Sequence, residues 1–362
     1  MPPARLPRSA ARAAERDGAA RALRGEDPAR LLRFYQQMML IRRFEERAAE
    51  MYQRARIGGY CHLNLGEEAT CVGLIAAMRP EDYLFTNYRE HGYALARGLE
   101  PCRVMAELFG RRDGVAGGRG GSMHLFDSKV RLMGGYAIVG GQLPLATGAA
   151  LAIAQQGLEE VVVCQMGDAT TNIGSFHESL NLAAIWRLPV VFAIVNNNYG
   201  MGTPVERASA VTDLWKKACA YDMPGEQLDG NDPLVVRDGV GRALERARKK
   251  RQPSLLDIRS FRIKGHSVVD PDRYRSPDEL QRGRAQDPVP AFARRLISSR
   301  IARQEQIQQL EREAEDIVAE AVQFADASPE PDPKDLFQFD YATAVENAPR
   351  FYPGQSPLDG VP

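Results

Sequence analysis

A carboxylate at Asp168 and a run of carboxamides at Asn196, Asn197 and Asn198 stand about thirty positions apart in this chain. Both groups offer hard oxygen donors, and such donors suit magnesium, which takes oxygens at roughly 2.0–2.1 Å and usually keeps water and phosphate in its shell. One carboxylate alone makes a poor magnesium cage, so a diphosphate completing the coordination sphere is the chemistry to expect. Groups able to bind such an anion recur along the chain: Arg89 after an apolar run, Lys264 and His266 in a glycine-containing stretch, and Arg111, Arg112 and Arg119 in a glycine-rich one. The plainer alternative is that Asp168 caps the helix after it, while Arg89, Lys264 and His266 are solvated.

For Asp168 and Asn197 to act together, the intervening chain must fold back on itself. Val161 to Met166 is apolar and β-branched without alternation, as a parallel strand covered on both faces should be. Ile173, Phe176, Leu180 and Ala184 then recur at helical spacing up to Trp186, and Leu188 to Val195 reads as a second buried strand. A right-handed crossover makes the two strands parallel and ends both at one sheet edge, where open parallel sheets bind ligands. Asp82 to Thr86 predicts another strand, with Asn87 to Gly92 as the loop at its end. A helix is expected up to Gln156 with Pro144 in its first turn. Asp213 to Tyr221 also reads as helical, and Asp232-Pro233 opens a helix with a capping acid and a first-turn proline. Ser254 to Arg259 is a strand leading to the loop Phe261 to Ser267 at the same edge. Ser276-Pro277-Asp278-Glu279 is a capping box, and Ile307, Leu310, Ala314, Ile317, Ala321 and Phe324 form a packed helical seam. The fold class is therefore α/β, a parallel sheet flanked by helices, with extra N- and C-terminal helices.

The chain has 362 residues, 44% of them hydrophobic, enough for one large core. Lysine plus arginine equals aspartate plus glutamate, 47 each, so no long-range field steers the protein to nucleic acid or a membrane surface. No apolar run reaches the roughly 20 residues of a membrane span. Five scattered cysteines without CxxC spacing read as reduced thiols of a cytoplasmic protein. Residues 1–26 are rich in alanine and arginine and are expected to be disordered; Glu15 and Asp17 dilute the basic bias of a transit peptide, which makes a mitochondrial address the lesser expectation. Asp27-Pro28 starts a helix with an apolar stripe of Leu31, Leu32, Tyr35, Met38, Met39 and Phe44. Residues 27–326 are then one α/β domain with flanking helices, and 327–362 a proline-rich tail. The glycine-rich segment from Gly110 to Ser122 lacks GK[ST] and GxGxxG, which argues against a P-loop or dinucleotide site.

The block Gly167-Asp168-Ala169 followed about thirty residues later by Asn196-Asn197 resembles the thiamine diphosphate motif. Its continuation Asn198-Tyr199-Gly200-Met201-Gly202-Thr203 is similar to the alpha subunits of pyruvate dehydrogenase E1 components, within the thiamine diphosphate-dependent 2-oxo acid dehydrogenases. That resemblance implies a thiamine diphosphate-binding fold and a magnesium ion held by Asp168, Asn197 and the Tyr199 carbonyl. It implies cofactor contacts from Tyr88, Arg89, Val139, Gly167, Ala169, Thr170 and His266, with His62 facing the substrate and His266 also in a catalytic role. His124 is a second, weaker candidate in the GGSMH block, where the three arginines would guide an anionic substrate. Lys264 takes the place of a histidine or arginine, and Ser267 matches a serine that some relatives phosphorylate. The implied partners are pyruvate, an E1 beta subunit in an α2β2 heterotetramer, and the lipoyl group of an E2 component. The alpha subunits of acetoin and branched-chain 2-oxo acid dehydrogenases share this machinery. A non-catalytic regulatory or assembly subunit is an alternative of another class, raised by Ala169 standing where the motif has glycine: a left-handed backbone there would cost about 1–2 kcal/mol.

Overall fold

A computed structural model describes residue 23, residues 25–333 and residue 335. Most of the segment 1–26 expected to be disordered and most of the proline-rich tail lie outside these residues; of the former, Leu23 is buried and Glu26 accepts two hydrogen bonds from Arg237, so its last residues are packed. Helix α1 (Pro28–Gln53) begins as expected, with the Asp27 carboxylate accepting the Ala29 N–H at 3.0 Å. Helix α2 (Glu68–Ala77), strand β1 (Tyr83–Asn87) and helices α3 (His91–Arg97) and α4 (Pro101–Leu108) follow. Then come β2 (Leu132–Tyr136), α5 (Gln142–Gln156), β3 (Val162–Gly167), α6 (Gly174–Ile185) and β4 (Val190–Asn196). A two-stranded turn is made by β5 (Tyr199–Gly200) and β6 (Thr203–Pro204), and α7 (Val205–Ala208) leaves it. The chain closes with β7 (Gly225–Asp229), α8 (Pro233–Lys250), β8 (Ser254–Arg259), α9 (Pro277–Arg284), α10 (Pro288–Ser298) and α11 (Gln304–Ala327).

Among the described residues the main sheet has six parallel strands in the order β2-β1-β3-β4-β8-β7. Its apolar strands lack alternation because both faces are covered. Val162, Cys164 and Met166 turn towards Leu143, Ala146, Phe176 and Leu180 of α5 and α6. Val163, Val191 and Ala193 turn the other way, into the core that α1, α2 and α8 share. Every residue of β4 is buried, and each large aliphatic side chain so placed contributes about 1.5–3 kcal/mol.

The structure departs from the expectations in four places. Strands β2 and β7 were not foreseen, since Leu-Met-Gly-Gly-Tyr and Gly-Glu-Gln-Leu-Asp contain no β-branched residue. Leu214–Tyr221 is a 3-10 helix. The capping box of α9 is half made: Ser276 accepts the Glu279 N–H at 3.2 Å, but the Glu279 carboxylate accepts the Tyr199 hydroxyl at 3.0 Å. The seam of α11 runs through Ile307, Ala314, Val318, Ala321 and Ala325, leaving Phe324 39% exposed, because α11 wraps against both α1 and α4.

Candidate functional site at the sheet edge

The register Gly167↔Val195 sets the tips of β3 and β4 side by side, so the segments that follow them share one pocket. Asp168 and Asn197 line it together. No cap is formed by Asp168: it opens the 3-10 turn Asp168–Asn172, and α6 has Ile173 at its N-cap position with no side-chain cap. Burial pushes the Asp168 carboxyl up to about 6, with the nearby Glu67 charge adding to the rise, while Arg262 and the backbone N–H groups of Asp168 and Asn197 oppose it. The neighbouring Asn196 does structural work. Its Oδ1 accepts the Asn198 N–H at 3.0 Å and its Nδ2 donates to buried Asp257 at 2.9 Å, which fixes the turn and lets Asn198 sit at φ 70°. Tyr199 follows with its carbonyl taking a hydrogen bond from Arg262 at 3.3 Å.

Two loops distant in sequence close the pocket from the side. The Ile263 and Val268 N–H groups donate to the Leu65 and Cys61 carbonyls at 2.9 and 3.0 Å, zipping segment 61–65 to segment 263–268. Gly66 permits this approach: it has φ 97°, and a Cβ there would strike the Phe261 carbonyl. The zipper brings His62 and His266 to ring centroids 5.0 Å apart, with Tyr88 4.5 Å from His62 and 5.7 Å from His266. Burial, then the charge of Arg89, depresses the His62 imidazole to about 2 and the His266 imidazole to about 3, so both are neutral at pH 7. Each has a buried Nδ1 with no hydrogen-bond partner.

Arg89 is buried and bound at both terminal nitrogens, donating to the Leu63 carbonyl at 2.7 Å and the His266 carbonyl at 2.8 Å. It staples the two loops while lining the pocket. Arg262, 1% exposed, is the second guanidinium of the lining, and burial and Arg89 both lower its affinity for a proton. Val139, Gly167, Ala169 and Thr170 complete the wall, Val139 at 44% exposure. Ala169 has negative φ, so the departure from glycine strains nothing; its methyl group lies over Gly200.

Several sequence candidates are not brought here. Lys264 is exposed and contributes only its carbonyl, which accepts from Arg262 and Arg275; the buried cation of that loop is Arg262. His124 is exposed, and its Nδ1 lies 3.0 Å from the Gly135 carbonyl. Arg111 pairs with Glu330, and none of Arg111, Arg112 and Arg119 lines the pocket. Conversely, Glu67, Gln165 and Arg262 line it and were not singled out. Gln165 had a visible signal, a lone polar residue inside an apolar strand, and its Oε1 accepts the Asn87 N–H at 2.9 Å. Glu67 and Arg262 had none apart from the blocks that contain them.

Among the described residues no group of three or more His, Cys, Asp or Glu side chains could hold a metal alone. The lining holds two carboxylates, of which Glu67 is already taken by Asn197 and Asn64. Asp168 and the Asn197 amide oxygen, beside two guanidiniums and the His266 imidazole with its unpaired Nδ1, therefore fit a divalent ion only together with an anionic group that shares it. His62 packs behind this lining on Tyr88 and His266. The fold and this pocket define an α/β protein with a polar pocket at the carboxyl edge of a parallel sheet.

Comparison narrows the class. The chain belongs to the dehydrogenase E1 component family, whose model matches residues 36–334. It is 43% identical over 307 residues to a pyruvate dehydrogenase E1 component subunit alpha of Rhizobium meliloti, covering 84% of this chain and 88% of that one. The subunit alpha of Rickettsia bellii is 38% identical over 306 residues, 84% of this chain and 94% of its own. The somatic, mitochondrial subunit alpha of Bos taurus is 41% identical over 307 residues, 84% and 78% of the two chains.

Proposed function

We propose that this chain is the alpha subunit of a pyruvate dehydrogenase E1 component and that its sheet-edge pocket holds thiamine diphosphate and magnesium. The observation that carries the reading is the meeting of Asp168 and Asn197 with Arg89, Arg262 and His266 around one pocket, a donor set for a cation and a diphosphate together. The names of the relatives support the pyruvate reaction and the subunit type.

Asp168, Asn197 Oδ1 and the Tyr199 carbonyl would hold the ion, the last through the lone pair that Arg262 leaves free. Arg89, Arg262 and His266 would meet the diphosphate oxygens; Gly167, Ala169, Thr170 and Tyr88 would shape the seat, with Val139 towards the aminopyrimidine. When bound, thiamine diphosphate supplies the electron sink that lets a 2-oxo acid lose carbon dioxide. Neutral His62, packed on Tyr88, would orient the substrate through its open Nδ1, and the buried loop zipper keeps water from this side. The acetyl group would pass to a lipoyl group of an E2 component.

A beta-type chain would complete the site in an α2β2 assembly. Tyr60, Ile138, Met201 and Val269, at 63, 77, 65 and 58% exposure, flank the pocket residues in sequence and support a covering partner. No helix among the described residues is long and apolar enough to cross a membrane. Cytoplasmic residence in a bacterium is part of the proposal, supported by the Rhizobium and Rickettsia relatives.

The test is calorimetric titration of the chain, assembled with its beta-type partner, with magnesium and thiamine diphosphate. Asp168→Asn should weaken magnesium-dependent cofactor binding by about tenfold or more. Unaltered binding would defeat the reading. Preference of the assembled enzyme for a branched 2-oxo acid or acetoin over pyruvate would overturn the substrate.

A further inference from the structure

We infer that Glu67 is a positioning residue that fixes which end of the Asn197 amide faces the pocket. The inference rests on the reading of this pocket as a metal and diphosphate site. A carboxamide has one end that can bind a cation, the carbonyl oxygen, and one that cannot, the NH2. Asn197 Nδ2 lies 2.8 Å from Glu67 Oε1. A carboxylate offers acceptors only, so the NH2 end must face Glu67 and Oδ1 must face away from it. A neutral partner able to donate as well as accept would tolerate the flipped amide. The freed Oδ1 meets only a long 3.4 Å contact from the Tyr199 N–H, which leaves it available for an ion.

Glu67 is itself held. Its other oxygen accepts from Asn64 Nδ2 at 3.2 Å. The Asn64 backbone N–H donates to Glu45 at 2.9 Å, and Asn64 Oδ1 accepts the Gly92 N–H at 2.9 Å. All four members of the chain Glu45, Asn64, Glu67 and Asn197 are buried, at 9% exposure or less. The network therefore runs from α1 to the pocket without solvent to loosen it, and a buried, fully paired network specifies one arrangement. Nothing in it needs to touch the reacting atoms.

The experiment is the magnesium dissociation constant at saturating thiamine diphosphate, measured by calorimetry on the protein assembled with its beta-type chain. The metal-free melting temperature serves as the control for folding. Glu67→Leu, which removes the acceptor, should weaken magnesium 10- to 100-fold, the range seen when residues that orient metal ligands are lost. Glu67→Gln keeps one acceptor oxygen for Asn197 and should stay within about threefold of wild type. The deciding variant is Asn197→Asp, whose two oxygens need no orientation. In that background orientation no longer matters, so Glu67→Leu and Glu67→Gln should weaken magnesium equally, each only by the loss of one nearby negative charge. Wild-type affinity in Glu67→Leu, or the same loss from Glu67→Gln as from Glu67→Leu, or an undiminished loss in the Asn197→Asp background, would each overturn the assignment. If Glu67→Leu does not fold, Glu67→Ala, which equally lacks an acceptor, takes its place in both backgrounds. Absence of magnesium-dependent binding by the wild-type assembly would instead reject the metal reading.

Discussion

Gly200 and Ala169 form a steric pair whose disruption has a calculable size. Gly200 is the second residue of β5 and does not have positive φ, so alanine there meets no backbone strain. The added Cβ would lie 2.5 Å from the Ala169 Cβ, against 3.4–4 Å for ordinary contact, an overlap of about 1 Å. The 3-10 turn behind Ala169 holds Asp168, and β5 in front holds the Tyr199 carbonyl, so neither side moves without moving a proposed ligand. Overpacking of this kind costs about 1–3 kcal/mol, and Gly200→Ala should destabilise the protein by about 2 kcal/mol. Ala169→Gly alone should cost about 0.5–1 kcal/mol, the usual penalty of glycine in a helical turn. In the double variant the overlap is gone, so the pair should be more stable than Gly200→Ala, with a coupling of about 1–2 kcal/mol. Urea denaturation of the four proteins measures that coupling directly. Additivity within about 0.5 kcal/mol would refute the reasoning, because it would mean the two backbones already have room to part.

Two further outcomes follow from buried polar groups. His62 and His266 titrate in the folded protein near 2 and 3, while the unfolded chain takes up those protons near the ordinary value of about 6.5. Below pH 6.5 the unfolded state thus binds more protons, and stability falls as pH falls, by at most about 1.4 kcal/mol per pH unit for each group and by less for the half-buried His266. The raised carboxyls of Asp168, Glu68 and Glu90 act the other way over the same range, so the contribution of His62 is read as a difference: from pH 7 to pH 5 the denaturant midpoint of wild type should fall relative to that of His62→Asn, and parallel pH profiles would count against a buried neutral His62. Glu107, fully buried, accepts the backbone N–H groups of Ala116, Gly118, Gly120 and Gly121 at 2.8, 2.9, 2.7 and 3.2 Å, filling the glycine-rich loop with an internal anion. Glu107→Gln turns an NH2 towards those donors and should cost about 2 kcal/mol or more, with faster hydrogen exchange at residues 116–121; exchange equal to wild type would show that the loop is held otherwise.

The sequence by itself determined the central frame. Short, β-branched apolar runs with no alternation read as strands covered on both faces, and a period of three to four between them reads as the helix that covers one face. From those facts the meeting of Asp168 with Asn197 followed without tertiary information, as did the starts of α1 and α8 at their Asp-Pro pairs. Tyr88, Arg89 and His266, singled out through the family motifs, line the pocket. Tertiary structure alone decided which charges share that pocket. Arg262 and Lys264 are two residues apart in one loop, and only the zipper with segment 61–65 buries the first and exposes the second. Likewise Glu67 meets Asn197 across 130 positions, a separation at which local pattern holds no information about distance. Strand β2, with two glycines, exists because β1 offers it an edge to pair with, not because its own residues favour extension. Local periodicity reports how much of each segment is hidden from water; which buried polar group meets which is settled only when distant segments pack.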